Sequence, residues 1–369
     1  MTMATAVSAC FVRAGRVGGA EHALYNLLDG LRALTSTANP WSVVTAEPLQ
    51  LGFDIAPLVT RTVHVPGVRN RVAIETLALP ALRGVDHWLL PNYYTPFGLR
   101  GRVVTVIHDA QHEHFPENFS ARKRAWLRAA HRYTMRRADV VVAISDYVAD
   151  DLIARHGDSY VPKIQVIPNA VSFDRLEPGS VPAAVPRDRE IVLCVSGGYR
   201  HKNLETLVRA FAEVADRRPD SQLVVVGQAP ELLLGARAGV GVDDLVRELS
   251  LTDRVTVLGY VTDAELGALY RAASVLAMPS LFEGFGLPVV EALGLGVPVV
   301  STRAGSLTDV SLGLVTYVDD PMSAPEMAAA LVAVLADGVR PSEADVARVR
   351  ARYDPRHVAR LISAAVTEA

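Results

Sequence analysis

Two glutamates eight positions apart form the most specific chemical pattern in this sequence. Glu283 lies on a glycine-rich loop and Glu291 in a predicted helix that begins near Pro288, with GFGLPVV between them. A predicted strand, VLAMPS, comes just before the loop. The backbone N–H groups of residues 285–287 (Phe285, Gly286 and Leu287) would therefore point out of a helix N-terminus, an arrangement that binds anions.

The two carboxylates indicate which kind of anion this would be. Beside a phosphate they would repel it unless they addressed another part of the same ligand. Vicinal hydroxyls suit them, because one carboxylate accepts hydrogen bonds from two O–H donors. A sugar nucleotide, with two polyol rings joined by phosphates, satisfies both glutamates. The simpler alternative is that Glu291 only complements the helix dipole and Glu283 is solvated.

A basic turn supplies the cations that a diphosphate would need. In CVSGGYRHKNLETLVRAF, a predicted strand is followed by a glycine turn and a helix, with Arg200 and Lys202 at the turn and Asn203 as a predicted cap. Cations here would neutralise a diphosphate and stabilise it as a leaving group. The alternative is an ordinary basic cluster on the surface.

The first half of the chain carries two weaker patterns. His108 and Asp109 end a predicted buried strand in VVTVIHDAQHEHFPE, and this position favours His108 as a functional residue, whereas the neighbouring histidines also fit structural roles. Gly18 and Gly19 open a predicted helix in RAGRVGGAEHALYNLL, where a phosphate or sugar could approach the backbone. Their spacing is not that of a dinucleotide-binding fingerprint.

Composition and missing motifs exclude several classes of function. The net charge of −3 argues against a general nucleic-acid-binding protein. The chain has no Asp-x-Asp pair to present Mg²⁺ or Mn²⁺ to a diphosphate and no Cys/His cluster with metal-ligand spacing, which predicts metal-independent chemistry without a cofactor. Its two cysteines fit buried, reduced thiols. With neither a signal-peptide pattern nor a run long enough to span a membrane, we expect a cytoplasmic protein.

The elements that must position these residues are two α/β domains. Short β-branched runs alternate with helix-length segments along the whole chain, which predicts parallel sheets covered on both faces. The proline-rich stretch 173–190 is predicted to link residues 1–172 to residues 191–352. The predicted strands are 6–11, 41–45, 62–65, 87–90, 103–107, 140–144 and 164–167, then 191–195, 222–226, 255–258, 275–278, 297–302 and 314–318. Ligands of such doubly wound folds gather at the carboxyl ends of strands, where the motifs lie.

Together these motifs resemble the fourth family of retaining glycosyltransferases. The resemblance rests on the Glu283-x7-Glu291 block, on RHKNLETLVRAF, on LGYVTDAELGALYRAASVLAMPS and on HDAQHEHFPE, and it extends through nearly the whole chain. It implies the GT-B fold, in which two Rossmann-like domains face a central cleft. The N-terminal domain would bind the acceptor and the C-terminal domain the nucleotide sugar, with a final helix at about 353–369 crossing back.

The resemblance also implies roles for individual residues. Glu291 would hold the ribose hydroxyls, and Glu283, near the amides of residues 285–287, would contact the transferred sugar. Lys202 would grip the diphosphate with a second cation, either Arg200 or His201, which stands where the family often has an arginine. His108 would lie against the donor sugar, and Gly259, Tyr260 and Val261 would line the pocket for the base. Gly18 and Gly19 would form a loop on the acceptor side. His108, Glu283 and Lys202 are the implied catalytic residues.

The implied reaction moves a hexose from a GDP- or UDP-linked donor, and mannosyl transfer is among the candidates. The acceptor would be a hydroxyl of a saccharide, a lipid-linked molecule or another small molecule. The new bond would form on the face that the diphosphate leaves, without a protein base. Two alternatives stay open: a sugar-nucleotide epimerase of the same architecture, and a non-catalytic sugar-nucleotide-binding protein.

A basic helix is predicted within SARKRAWLRAAHRYTMRRAD, residues 120–139. Four arginines repeat every fourth residue (Arg124, Arg128, Arg132 and Arg136), so they line one face, and like charges at this spacing repel each other. We favour a solvated face that pairs with acidic side chains from elsewhere in the fold. The alternative is peripheral contact of residues 120–137 with the inner face of a membrane or with a phosphorylated lipid acceptor.

Overall fold

The structure is a computed structural model that describes residues 4–12, 18–35, 41–49, 54–66, 70–177, 179–227 and 242–368. The chain divides into two compact units. Met1–Ser172 and Arg352–Ala369 form unit 1, and Phe173–Ala351 form unit 2. Each unit is built on a parallel sheet, as the alternation of apolar runs and helices predicts.

Unit 1 contains a sheet of seven parallel strands in the order β3-β2-β1-β4-β5-β6-β7. Its strands at Thr5–Ser8, His87–Leu90 and Val140–Ala143 are buried at every position, which explains their apolar runs. The strands are β1 (Thr5–Ser8), β2 (Trp41–Thr45), β3 (Val59–Thr62), β4 (His87–Leu90), β5 (Arg102–Ile107), β6 (Val140–Ala143) and β7 (Ile164–Val166). The helices of its N-terminal part are α1 (Gly19–Leu34), α2 (Arg71–Ala78), α3 (Gln111–His114), α4 (Ala121–Arg137) and α5 (Asp146–His156).

Unit 2 contains a sheet of six parallel strands in the order β10-β9-β8-β11-β12-β13. The strands are β8 (Glu190–Ser196), β9 (Ser221–Gly227), β10 (Val255–Leu258), β11 (Ala273–Met278), β12 (Val299–Thr302) and β13 (Thr316–Val318). The helices are α6 (Leu204–Arg217), α7 (Val242–Glu248), α8 (Asp263–Ala272), α9 (Leu287–Gly294), α10 (Leu307–Val310), α11 (Ala324–Asp337) and α12 (Glu343–Tyr353). The buried faces of α6 and α11 supply much of the core.

The last helix, α13 (Pro355–Thr367), belongs to unit 1 and packs against α1. Its buried residues, Val358, Ala359, Ile362, Ala365 and Val366, recur at helical spacing. Backbone contacts fix the segment that leads into it, because Val171 N donates to the Tyr353 carbonyl at 2.8 Å. The C-terminal segment thus completes the core of unit 1.

The strand near residue 60 differs most from its prediction. The apolar run predicts Thr62–Val65, whereas β3 spans Val59–Thr62 at the edge of the sheet and is largely exposed. An exposed edge strand need not be apolar, so an apolar run does not show where it lies. The predicted run instead includes Val63, which packs into the core just after the strand ends.

The stretch that the sequence predicts as a linker is part of unit 2. Asp174–Leu176 form a 3₁₀ turn, Leu176 is buried, and the Phe173 ring lies against Gly294 of α9. These two apolar residues precede the first proline of the stretch and anchor it in unit 2. In the parts of the chain that the structure describes, no helix has the length and apolar character needed to cross a membrane.

Candidate functional site

The candidate donor site lies where the strand order of unit 2 reverses. β8 and β11 are neighbours in the sheet, and the chain leaves them toward opposite edges. Such a switch point opens a crevice at the carboxyl ends of the strands. The loop after β8 carries Lys202 and the loop after β11 carries Glu283, so the fold brings these two predicted residues together.

Lys202 and Glu283 form an ion pair with a Nζ–Oε1 distance of 2.6 Å. The same carboxylate oxygen accepts a hydrogen bond from Ser280 Oγ at 2.7 Å. Leu281 N also donates to the His201 carbonyl at 2.7 Å, which ties the two loops together through their backbones. Glu283 is buried, so the alternative of a solvated glutamate is wrong.

The backbone of Glu283 is clamped from the loop after β12. Its carbonyl oxygen accepts hydrogen bonds from Ser306 N at 3.0 Å and from Ser306 Oγ at 3.1 Å. Gly305 has φ +61°, and a Cβ there would collide with the Glu283 carbonyl. A glycine is therefore required at this position on two grounds, backbone conformation and space.

Glu291 is held by two residues that the sequence analysis missed. Arg175 Nη2 forms an ion pair with Oε1, and Tyr270 Oη donates to Oε2 at 2.7 Å. Burial raises the pKa of the Tyr270 phenol well above its usual value, so this group remains a donor. The glutamate is only 3% exposed. It lies beyond the first turn of α9, so the alternative in which it complements the helix dipole is wrong.

Arg175 also connects Glu291 to the neighbourhood of the predicted base pocket. Its Nη1 donates to Asp263 Oδ1 at 2.7 Å, and Asp263 begins α8 directly after the loop 259–261. In that loop Tyr260 is 81% exposed, an uncommon environment for an aromatic ring. Gly259, Tyr260 and Val261 thus follow β10, at the same edge of the sheet as the two glutamates.

Helix α9 begins one residue earlier than predicted. Gly286 is the N-cap with φ +91°, Leu287 is the first helical residue, and Pro288 is the second. Since proline lacks an N–H, it costs no hydrogen bond at this position. Phe285, Gly286 and Leu287 therefore lie at the N-terminus of α9, as their spacing from Pro288 predicts.

The basic turn after β8 is a short 3₁₀ helix, Arg200–Lys202. Burial, followed by the charge of Lys202, lowers the pKa of His201 to about 4, and its ring stacks on Tyr199. His201 is therefore neutral at physiological pH, whereas Arg200 is exposed and charged. Asn203 is the N-cap residue of α6, as predicted, but its side chain makes no bond to the helix backbone. Its Oδ1 accepts from Thr206 Oγ1 at 2.8 Å, and its Nδ2 donates to the carbonyls of Pro279 and Pro321.

His108 ends β5 in unit 1, as predicted. Its Nε2 donates to the Pro91 carbonyl at 3.2 Å, and its ring lies 5.3 Å from that of Tyr93. Burial lowers the pKa of His108 to about 4, so the ring is neutral and Nδ1 is its acceptor. Asp109 Oδ1 accepts from Gln111 N at 3.0 Å and so supports the start of α3.

The predicted glycine loop of unit 1 lies at the corresponding switch point, between β1 and β4. Gly18 is the N-cap of α1, and Gly19 is its first residue. Residues 13–17 of the motif lie outside the described part of the chain. Glu21 and Asn26 on α1 are buried, and Asn26 Nδ2 donates to the Ala170 carbonyl at 2.9 Å.

The structure describes all of the basic helix α4. Arg128 donates to both carboxylate oxygens of Glu113, each at 2.7 Å, as the favoured interpretation expects of this face. Arg124, Arg132 and Arg136 form no salt bridge with any residue that the structure describes. Trp126 is partly exposed and contacts Tyr94 edge-on. Among the described residues, no group of three or more His, Cys, Asp or Glu side chains has the geometry of a metal site.

Comparisons with known proteins agree with this architecture. The Anabaena protein HepE, solved in complex with UDP and glucose, superimposes with a TM-score of 0.72 at 20% identity, covering 98% of each chain. This chain therefore has the GT-B fold, with two α/β units on parallel sheets.

Family models identify the chain more closely. The model of group 1 glycosyl transferases matches residues 181–350, and that of glycosyltransferase family 4 matches residues 17–175. This chain belongs to glycosyltransferase family 4. It is 29% identical to the D-inositol 3-phosphate glycosyltransferase of Corynebacterium jeikeium over 80% of this chain and 71% of that protein. It is 34% identical to the 2-deoxystreptamine glucosyltransferase of Streptomyces kanamyceticus over 51% of this chain and 48% of that protein.

Proposed function

We propose that this glycosyltransferase transfers a hexose from a UDP- or GDP-linked donor with retention of configuration and without a metal ion. The observation that carries the proposal is the pairing of Lys202 with Glu283 at the switch point of unit 2. A cation for a diphosphate and a carboxylate for sugar hydroxyls are there in direct contact. HepE was solved with UDP and glucose, which supports a nucleotide-sugar donor.

In the proposed complex, contacts with the donor replace the ion pairs that Glu283 and Glu291 form within unit 2. Lys202, assisted by Arg200, binds the diphosphate and neutralises the charge that develops as it leaves. Glu283 then accepts from hydroxyls of the transferred sugar, and Glu291 from those of the ribose. Phe285, Gly286 and Leu287 supply backbone amides, and the loop 259–261 contacts the base.

The acceptor hydroxyl would attack from the face that the diphosphate vacates and give its proton to the leaving phosphate. No protein base is needed for this route. His108, neutral because of its burial, would bond to the donor sugar rather than take a proton. The absence of Asp-x-Asp from the sequence and the presence of Lys202 support chemistry without a metal.

The names of the two relatives refer to cyclitol compounds, an inositol phosphate and 2-deoxystreptamine. These names favour a small polyhydroxylated acceptor over a lipid-linked one. Gly18 and Gly19, at the start of α1 in unit 1, are the proposed acceptor-side loop.

The test begins with thermal stabilisation by a panel of nucleoside diphosphate sugars, followed by calorimetry with the best ligand. Loss of a charged hydrogen-bond partner costs about 1.5–3 kcal/mol, so Glu291→Ala and Lys202→Ala should each bind at least about tenfold more weakly. Glu213→Ala is the matched control, because Glu213 lies on α6 and pairs with Arg217 at the surface. Unchanged affinity in both site variants would refute the donor assignment.

Turnover assays separate the competing functions. Transfer should be equal with EDTA and with Mg²⁺, and proton NMR of the first-formed glycoside should show the anomeric configuration of the donor. An epimerised sugar without any need for acceptor would indicate an epimerase, and binding without turnover would indicate a sensor. Complete loss of transfer on chelation would contradict the metal-independent route.

A further inference from the structure

A second polar pocket lies in unit 1, and none of the residues proposed above for the donor lines it. It has a volume of about 230 Å³ and is formed by α3, α4 and α5. Three histidines, His112, His131 and His156, line it. Arg128, Arg132 and Arg155 line it as well.

The charges around this pocket are unbalanced in favour of cations. Glu113 is the carboxylate among the lining residues, and both its oxygens are taken up by Arg128. Arg155 pairs with Asp151 at 2.9 Å. Arg132 forms no salt bridge with any residue that the structure describes. Three guanidinium groups therefore face two carboxylates, and one positive charge remains uncompensated.

One histidine that lines the pocket has an unsatisfied polar atom. His131 is 3% exposed, and its Nε2 has no hydrogen-bond partner among the described residues. A buried polar atom without a partner costs free energy, so its persistence calls for an explanation. In the tautomer with hydrogen on Nε2, this atom is an unused donor on a residue that lines the pocket. It has almost no accessible surface, so the ring must turn before Nε2 can reach a ligand.

Burial lowers the pKa values of all three histidines, and neighbouring charges add to this effect. The pKa of His131 is lowered to about 3, first by burial and then by the neighbouring His112 and His156. The pKa of His156 is lowered by burial and then by Arg132 and Arg155, and that of His112 is also lowered, chiefly by burial. A neutral imidazole donor beside several arginines is an arrangement suited to an oxyanion.

We propose that this pocket is a binding site for a phosphate group, held by Arg132 and Arg155 and, after a turn of its ring, by His131 Nε2. The shared chemistry is that of a phosphate or phosphomonoester dianion, which is either free inorganic phosphate or a phosphorylated part of a substrate. Arg132 supplies the unpaired charge. Arg155 shares its guanidinium group between Asp151 and the phosphate. The proposal is independent of the donor assignment, since it uses no residue of unit 2.

The experiment is calorimetric titration of the full-length protein with inorganic phosphate and, separately, with glycerol phosphate as a phosphomonoester probe. We expect Arg132→Gln and His131→Phe each to weaken binding about tenfold, because each removes one direct partner of a charged ligand. Arg136→Gln is the matched control: it removes the same charge one turn further along α4, outside the pocket. Tighter binding of inorganic phosphate indicates a free ion, and tighter binding of the ester indicates a substrate phosphate.

Histidine NMR provides a readout independent of the variants. A bound dianion favours the charged imidazolium, so phosphate should raise the pKa values of His112 and His156. The charged groups that face these rings are Glu113, Asp151, Arg128, Arg132 and Arg155. No saturable binding of either probe would overturn the proposal, as would equal weakening in Arg136→Gln or unmoved histidine titrations in saturating phosphate.

Discussion

Replacing Arg175 with methionine should strongly destabilise unit 2 while leaving unit 1 nearly unchanged. Arg175 is 15% exposed in its side chain, and its partner Glu291 is 4% exposed. The variant keeps the length and apolar stem of the side chain but removes the charge. Glu291 would then remain buried with Tyr270 as its hydrogen-bond partner. Breaking one side of a buried pair costs about 3–5 kcal/mol, because the other charge is left uncompensated.

A matched surface pair gives the reference for this magnitude. Arg218 donates to both carboxylate oxygens of Glu190 in the same unit, but both side chains are about 30% exposed (29% and 32%). Arg218→Met also removes a guanidinium group that is paired with a carboxylate. Exposed pairs of this kind contribute about 1 kcal/mol or less. The difference between the two variants therefore isolates the effect of burial.

The distribution of tryptophans allows the two units to be followed separately. Trp41, Trp88 and Trp126 all lie in unit 1, so tryptophan fluorescence follows that unit, whereas far-UV circular dichroism follows both. For a unit of this length, 1 kcal/mol corresponds to roughly 2–4 °C in Tm. Arg175→Met should lower the transition seen by dichroism by about 6–20 °C, with little change in fluorescence. Equal shifts for Arg175→Met and Arg218→Met would refute the reasoning, and so would a shift confined to fluorescence.

Three further predictions concern protonation, thiol reactivity and backbone strain. The pKa of His108 is about 4 and that of His131 about 3, below the ordinary 6.5, so their contribution to stability is full above pH 6.5. It should decrease as pH falls toward 4, which urea unfolding followed by fluorescence at several pH values will test. Burial raises the pKa of both cysteines to about 12, so native protein should resist iodoacetamide and the unfolded chain should react. Gly305→Ala should weaken donor binding by displacing Glu283, whereas Gly313→Ala, at φ +74° with open space around it, should not.

The fold was largely predictable because burial on both faces makes parallel strands apolar throughout. His87–Leu90 and Val140–Ala143 are buried at every position, and their sequences are continuous apolar or aromatic runs. Edge strands lack this constraint, which is why β3 lies upstream of its predicted position. The positions of Lys202 and Glu283 after strands were readable for the same reason, since a strand and its following turn are local features of sequence.

The partners of the site residues were not predictable, because they depend on contacts between distant segments. His201 stands in a basic turn where the resembled family often has an arginine, which makes it a candidate second cation, but burial, followed by the charge of Lys202, keeps it neutral. Asn203 is the N-cap residue of α6, but its Oδ1 accepts from Thr206 Oγ1 and its Nδ2 donates to carbonyls of two other loops, so its side chain makes no bond to the helix backbone. In both cases tertiary contacts override a correct local preference.

Arg175 is a site residue that the sequence does not predict, because its contact with Glu291 joins distant segments. It lies 116 residues from Glu291, in a stretch whose prolines indicate a linker, and no local pattern connects the two. Lys202 lies 81 residues from Glu283. Each of the two glutamates is thus paired with a cation of the protein, and a buried carboxylate requires such a partner. Under the proposed donor assignment, the hydroxyls of a nucleotide sugar compete with Arg175 and Lys202 for these oxygens, while its diphosphate gives Lys202 a new anionic partner. Donor binding as proposed is therefore an exchange of ion pairs, and the cations that stabilise the buried glutamates also set how tightly the donor is held.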